Sequence, residues 1–171
     1  MQKRALTLAT ALLGLGMLAA CGSDKTTAPS TVTYKATLSG ANERPTPNNS
    51  TATGTWTGTL NTQTNVLTYT LTYTGLSANS TASHIHAQSD ATTTANVVLN
   101  FQNFAGATTV FTPGTTSGTA AGTINLSGGT VTGFSITGDS LRKAMDAGMA
   151  YVNVHTTANP GGEIRGQIVK Q

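Results

Sequence analysis

The sequence predicts an all-β domain: an antiparallel β-sandwich of Greek-key or immunoglobulin-like type with one short crossover helix. Threonine accounts for 35 of the 171 residues, and a β-branched, uncharged residue at that frequency favours strands over helices. From Thr31 onwards, apolar and polar residues alternate with a period of two, and Gly, Asn and Pro interrupt the alternation. Short alternating segments separated by turn residues are typical of sandwiches and barrels.

Three strands are predicted in the first half of this domain. The first is Val32–Leu38, and a turn-rich stretch with two prolines follows it. The second, Thr53–Leu60, alternates threonine with glycine or a larger apolar residue. The third, Val66–Thr74, places leucine and tyrosine on one face and mostly threonine on the other. The connection 61–65 is short enough to join the second and third strands as a hairpin.

The second half of the domain contains one helix among further strands. Leu141, Ala144 and Met145 fall on one face of this helix. Asp139 is expected to cap its N-terminus, and Gly148 is expected to end it. The other strands are predicted at Ser83–Ala87, Asn96–Phe101, Gly118–Leu126, Val131–Ile136, Tyr151–His155 and Glu163–Val169.

Residues 1–20 have the pattern of a secretory signal peptide. Lys3 and Arg4 supply positive charge, and the uncharged, mostly apolar run that follows is too short for a comfortable membrane span. This run ends in the tetrapeptide LAAC at positions 18–21, which resembles the bacterial lipobox. The resemblance implies cleavage before Cys21, lipidation of that cysteine and an anchor in the membrane.

The same resemblance implies a location for the protein. Gly22, rather than aspartate, occupies the second position of the mature chain, which implies an outer-membrane lipoprotein of the cell envelope that faces the periplasm or the outside. Residues 21–30 then consist of the lipidated cysteine and a polar, flexible tether. Residues 31–171 form the β-sandwich domain.

The charge and the cysteine count exclude two classes of interaction. The formal net charge is only +3, and without Lys3 and Arg4 seven basic residues remain against six acidic ones. This charge balance is too even to form a basic surface that neutralises the phosphates of DNA or RNA, so no nucleic-acid partner is expected. Because Cys21 is the only cysteine, the mature domain has neither a disulfide nor a thiolate ligand of its own.

Three histidines are the obvious candidates for chemistry. His84 and His86 are two residues apart on a predicted strand, so their side chains share one face, roughly 6.5–7 Å apart. In the strand Tyr151–His155 the two valines are expected to face the core, which turns Asn153 and His155 to the opposite face. All three histidines then lie on the outer side of their strands, where they could bind one metal ion.

The segment after His155 predicts a hairpin that adds polar groups to the histidine face. A Pro-Gly-Gly turn sequence precedes Glu163, so the last two strands are expected to pair. With the isoleucines of the last strand facing the core, Glu163 and Arg165 face the histidines. Glu163 is expected beside His155, either behind the imidazole to orient it or as a further ligand, and Arg165 and Asn153 are expected to lie behind the ligands.

Two interpretations of the histidines stay open. In the first, the three imidazoles hold one ion; imidazole suits copper and zinc, and the Irving–Williams order places Cu(II) first. Copper is therefore the expected cofactor, and zinc is the alternative. In the second interpretation the histidines are structural, with His155 bonded to Glu163 and Arg165 stacked on Tyr151.

Three segments are similar to the CHRD domain family. They are Leu38–Pro45 (LSGANERP), Ser83–Ala87 (SHIHA) and Tyr151–Ile168, and the resemblance extends over about residues 32–168. It implies a β-sandwich. In chordin, for which the module is named, CHRD domains are extracellular interaction modules. The resemblance therefore also implies a non-catalytic structural or adhesion module with protein or glycan partners, as the alternative to metal binding.

The His-x-His strand also resembles that of copper–zinc superoxide dismutase, whose sandwich places such a pair on copper. A two-metal dismutase site needs more histidines and a disulfide, which three histidines and one cysteine cannot supply. A site for a single ion is compatible with the count. The sequence has neither a GxSxG motif nor a phosphate-binding glycine loop before a helix, so no catalytic residue is predicted.

Overall fold

The computed structural model of the chain describes residues 30–128 and 135–171. The predicted signal peptide, Cys21 and residues 21–29 of the tether lie outside these ranges, as do positions 131–134 of the strand predicted at 131–136. The strands and the helix are β1 (Thr31–Ser39), β2 (Thr53–Asn61), β3 (Val66–Thr74), β4 (Ser80–Ala87), β5 (Val97–Asn100), β6 (Ala107–Thr109), β7 (Gly118–Asn125), α1 (Gly138–Asp146), β8 (Ala150–Thr156), β9 (Ile164–Gln167) and β10 (Val169–Lys170).

The strands form one antiparallel sheet that curls into a half-barrel. Their order is β5-β4-β8-β9-β1-β2-β3-β7-β6, and β10 pairs with β1. The pair Ser39 and Arg165 joins β1 to β9, and the halves of the sheet on either side of this junction face each other. Tyr69 of β3 packs on Phe101 beyond β5, with ring centroids 5.2 Å apart. The predicted all-β fold with one short helix is confirmed.

The period-two pattern of the sequence corresponds to the two faces of each strand. In β2, Trp56 and Leu60 are fully buried while the threonines between them are exposed. β3 repeats this alternation around the buried Tyr69. The two strands pair in register along their whole length, which confirms the predicted hairpin. Burial of these apolar side chains between the halves of the sheet is the main contribution to stability.

Helix α1 has the predicted buried face but a different N-cap. Thr137 caps it, because its side-chain oxygen accepts a hydrogen bond from the backbone nitrogen of Ser140 at 3.1 Å. Asp139 lies in the first turn instead, where its negative charge interacts favourably with the helix dipole. The predicted core-facing residues are buried: Leu141, Ala144 and Met145.

The part of the chain that the structure describes contains no helix long and apolar enough to span a membrane.

The structure differs from the predicted strands at two places. The segment predicted as one strand, Glu163–Val169, is divided into β9 and β10, and β10 pairs with β1. The short strand β6 lies beside β7 and was not assigned from the sequence. None of its three residues is fully buried, so no apolar alternation marks it.

Three neighbouring strands position the histidines. β4 pairs with β8, which places His84 opposite Asn153 and His86 opposite Tyr151. β8 pairs with β9, which places Asn153 opposite Arg165 and confirms the predicted final hairpin. Side chains from distant parts of the chain therefore meet on one face of three adjacent strands.

Candidate metal centre

The three histidines converge on one point. His84 Nδ1 and His155 Nε2 are 3.1 Å apart, and one ring nitrogen from each of His84, His86 and His155 lies within 4.8 Å of the others. His86 is buried, whereas His84 and His155 are partly exposed. The sheet thus brings together all three candidate ligands, with His86 as the innermost one.

Backbone carbonyls orient two of the imidazoles. His86 Nδ1 lies 2.8 Å from the carbonyl oxygen of Ala95, and His155 Nδ1 lies 2.9 Å from that of Pro160. A carbonyl oxygen only accepts hydrogen bonds, so Nδ1 donates in both histidines. In the neutral form, each Nε2 then has a lone pair, and that of His155 accepts a hydrogen bond from His84 Nδ1. A partner on the other ring nitrogen is the arrangement that usually orients metal-binding histidines.

The environment favours neutral imidazoles. Burial lowers the pKa of His84 to about 4, with smaller contributions from His155 and His86. Burial also lowers the pKa of His86, and it outweighs the hydrogen bonds to Ala95 and Asn153 that raise it. The pKa of His155 is lowered by burial as well, against the opposing effect of Pro160. Neutral imidazole is the form that binds metal ions, so the site needs no deprotonation at neutral pH.

Asn153 and Tyr151 contact the innermost histidine. Asn153 Oδ1 lies 3.2 Å from His86 Nε2, and the asparagine is buried. The rings of Tyr151 and His86 stack with centroids 4.5 Å apart and planes 5° from parallel. Arg165 is also buried, and its guanidinium carbon lies 3.5 Å from the centroid of the tyrosine ring. Arg165 reaches His86 only through this ring, whereas Asn153 reaches it directly.

The comparison with protein families identifies the family of the chain. The CHRD domain model matches residues 34–168. The chain belongs to the CHRD domain family. The match includes the three histidines and the final hairpin, and it confirms the resemblance noted in the sequence. No curated protein and no solved structure gives a significant match to the chain.

Glu163 of the CHRD domain was expected to orient His155 or to act as a further ligand, and its carboxylate bonds to other groups. Its carboxylate accepts hydrogen bonds from Ser77 N, Ser50 Oγ and Thr156 Oγ1, each at 2.7 Å. Burial works to raise the pKa of Glu163, but these hydrogen bonds outweigh it and lower the pKa. The residue therefore holds three segments together, and the carbonyl of Pro160 takes the orienting role expected for Glu163.

Glu43 is a buried acidic residue to which sequence reasoning assigned no role. It is 3% exposed, and its Oε1 has no hydrogen-bond partner among the described residues. Burial raises the pKa of Glu43 to about 7, although the charges of Arg165 and Arg44 oppose the shift. Glu43 lies inside the LSGANERP segment, which resembles the family, and this position was the only indication in the sequence that the residue is important. The carbonyls of Ala95 and Pro160 had no such signal, because any residue supplies a carbonyl.

Proposed function

We propose that this CHRD domain is a metal-binding module of the cell envelope that holds one divalent copper or zinc ion on His84, His86 and His155. The convergence of three neutral imidazoles within 4.8 Å is the observation that supports it. Two of these imidazoles already donate their Nδ1 protons to carbonyls. These two histidines therefore have Nε2 lone pairs to offer, and rotation of the rings would bring the three nitrogens onto one ion.

The spacing of His84 and His155 agrees with shared coordination, whereas ring nitrogens up to 4.8 Å apart in the cluster would have to move closer when an ion binds. Metal–imidazole bonds of about 2.0–2.1 Å place two ligands of a tetrahedral ion about 3.3 Å apart. The observed separation of His84 Nδ1 and His155 Nε2 is 3.1 Å. Because His155 Nε2 has no proton, His84 Nδ1 donates a hydrogen bond to it in the metal-free protein. An ion between them would replace this hydrogen bond, with the His84 proton moving to Nε2.

Copper is the first choice of ion and zinc the second. The ligands are imidazoles, which both ions accept, and Cu(II) has the higher affinity for a given nitrogen site. No cysteine belongs to the histidine cluster in the described ranges, so a thiolate, the soft donor that favours Cu(I), is not part of it. No catalytic residue is proposed.

The cellular setting is part of the same proposal. A signal peptide at residues 1–20 and lipidation of Cys21 would anchor the domain through a tether that ends at residue 30. The domain would then lie close to the outer membrane, on its periplasmic or outer side. Detection of a lipid-modified N-terminal peptide by mass spectrometry after expression in a diderm bacterium tests this setting, and an unmodified Cys21 would contradict it.

A structural or adhesion module that binds a protein or glycan is the second candidate. The observation that favours it is the exposed face of β1, β2 and β3, where threonines lie side by side on neighbouring strands. Thr55 pairs with Thr37 on one side and with Thr72 on the other, and the hydroxyls of Thr55 and Thr72 are 2.9 Å apart. Such a face offers hydroxyls to a partner, but no chemistry that selects one.

Titration calorimetry distinguishes the two candidates. Cu(II) and Zn(II) are added separately to the metal-stripped mature chain carrying Cys21→Ser, which removes the thiol as a competing ligand. We expect one ion per chain with sub-micromolar affinity, and loss of this binding in His86→Ala while the circular dichroism stays that of a β protein. Asn100→Ala is the control, because Asn100 of β5 lies opposite His84 of β4 but supplies no ligand. Binding without one-to-one stoichiometry, or equal binding by His86→Ala, would refute the metal function.

A further inference from the structure

We propose that the side-chain oxygen of Asn153 is the fourth ligand of the metal, so that the site has three nitrogen donors and one oxygen donor. This inference rests on the proposed function. It goes beyond it by assigning a donor that is not a histidine, cysteine or acidic residue. It also assigns Asn153 a direct role, where the sequence placed this residue behind the ligands.

The position of Asn153 is the first argument. It lies on β8 directly opposite His84 of β4, and two residues before His155 on its own strand. Its side chain is 3% exposed, and Oδ1 lies 3.2 Å from His86 Nε2. Asn153 is therefore adjacent to all three histidines, and its oxygen faces the nitrogen that His86 would use to bind a metal.

The hydrogen-bond pattern is the second argument. His86 donates through Nδ1 to the carbonyl of Ala95, so in the neutral imidazole Nε2 has a lone pair and no proton. Asn153 Oδ1 is also an acceptor. Two acceptors at 3.2 Å in a buried site repel each other unless a cation or a proton lies between them. A metal ion bound to both atoms satisfies both.

The distance agrees with coordination by one ion. Metal bonds of about 2.0–2.1 Å to nitrogen and about 2.0–2.2 Å to oxygen place the two donors about 3.3 Å apart in a tetrahedral site. The separation of 3.2 Å between Nε2 and Oδ1 is close to this value. It is also close to the 3.1 Å between His84 Nδ1 and His155 Nε2.

The competing arrangement has the Asn153 amide turned by a half-rotation, so that its nitrogen donates to His86 Nε2. The two arrangements have opposite consequences. An amide nitrogen that donates to Nε2 blocks this ligand, and its removal would leave metal affinity unchanged or increase it. An amide oxygen that binds the ion strengthens metal binding, and its removal would open a coordination position to water.

The consequence for chemistry is a site filled by protein donors. Four ligands from the chain are typical of a structural or storage site, whereas catalytic zinc sites keep a position for water or substrate. The oxygen donor also shifts the preference of the site towards divalent ions and away from Cu(I). The ligand class is therefore a divalent transition-metal ion held by four protein donors.

The test compares two variants of Asn153 in the mature chain carrying Cys21→Ser. Asn153→Leu keeps a side chain of similar shape without an oxygen, and Asn153→Asp keeps an oxygen donor and adds charge. Asn100→Ala is again the control, since this residue flanks His84 on the other side. Cu(II) affinity is measured by competition with a chelator. The relaxation rate of water protons in the Cu(II)-loaded protein reports whether water binds the ion.

We expect Asn153→Leu to weaken Cu(II) binding by about 10- to 100-fold and to increase the relaxation of water protons. Asn153→Asp should bind at least as tightly as the unaltered protein, without that increase. The proposal is overturned if Asn153→Leu binds Cu(II) as tightly as the unaltered protein with the same relaxation rate.

Failure of the fourth-ligand inference can be distinguished from failure of the proposed metal binding. If Asn153→Leu does not fold, Asn153→Asp still decides the question, because weaker Cu(II) binding by this variant than by the unaltered protein would overturn the proposal. If the unaltered protein binds no metal, the proposed function fails, and the fourth ligand fails with it. Tight binding in the unaltered protein together with equal binding by Asn153→Leu refutes the fourth ligand alone.

Discussion

The guanidinium carbon of Arg165 lies 3.5 Å from the centroid of the Tyr151 ring, and the same ring stacks on His86. Because β4 and β9 flank β8 on opposite sides, the tyrosine lies between the cation and the imidazole. A guanidinium over an aromatic face is a favourable contact, and it restrains the ring that packs against the innermost histidine. The terminal motif of the chain therefore supports the histidine cluster through packing.

Replacement of this guanidinium tests how much the stack contributes. Arg165→Lys loses the planar contact with Tyr151 and the hydrogen bond from Nη2 to the Asp90 carbonyl at 2.9 Å. We expect the free energy of unfolding to fall by about 1–3 kcal/mol, measured by urea denaturation. The matched control is Arg142→Lys at a partly exposed position, where lysine keeps the charge that faces Asp146, so stability should change by no more than about 0.5 kcal/mol. Equal effects of the two changes would contradict the role of the stack.

Glu163 is expected to be important for stability rather than for metal binding. Glu163→Gln exchanges an acceptor oxygen for a donor that faces hydroxyl and backbone donors, so the free energy of unfolding should fall by roughly 2–3 kcal/mol. Because its pKa is lowered on folding, the stabilisation by Glu163 is present above its ordinary pKa and is lost as the pH falls through the folded value. Thermal unfolding at several pH values measures both effects, and an unchanged melting temperature at neutral pH would show that the carboxylate is dispensable.

Glu43 should give the opposite pH dependence. Folding raises its pKa from 4.5 to about 7, so the folded protein binds this proton more tightly than the unfolded chain. Stability should therefore decrease as the pH rises through this range, by roughly 3 kcal/mol in total. Glu43→Gln should remove most of this decrease in thermal unfolding experiments. Glu163→Gln is the control, since it should leave the decrease in place; a Glu43→Gln variant with the native pH profile would refute the assignment.

Trp56 is expected to be the largest single contributor to the core. It is fully buried, so Trp56→Ala should lower the free energy of unfolding by roughly 3–5 kcal/mol. The tryptophan fluorescence of the unaltered protein should have its emission maximum at a shorter wavelength than free indole in water. An emission maximum like that of free indole would contradict the burial. Gly58→Ala tests the same packing from the neighbouring position, because an added Cβ would lie 2.5 Å from the indole ring. We expect this variant to be destabilised as well.

The alternation of residues was enough to predict most of the strands and the side on which each histidine lies. β3 has the predicted bounds, Val66–Thr74, because nine residues of strict alternation leave one register that buries the apolar face. His84 and His86 were placed on one face by the same argument. Two short elements were less predictable: the edge strand β6 has no fully buried residue, and the break between β9 and β10 depends on pairing with β1.

The contacts of individual polar groups could not be predicted in this way. Glu163 was expected beside His155, and strand parity supported that expectation. The structure shows its carboxylate bonded to Ser50, Ser77 and Thr156 instead. Ser50 and Ser77 lie in loops whose course depends on the whole fold, and the carbonyls that orient His86 and His155 belong to residues whose side chains give no signal.

The sequence by itself determined the all-β class, the family and the residue types available for a metal site, because these depend on composition, local periodicity and motifs. The tertiary structure decided which of those residues meet. Neighbouring positions of β4 and β8 bring His84, His86 and His155 within 4.8 Å of one another, and Asn153 Oδ1 faces His86 through the same pairing. The physical reason is that strand order and register depend on burying the apolar faces of all strands at once, which no local segment specifies.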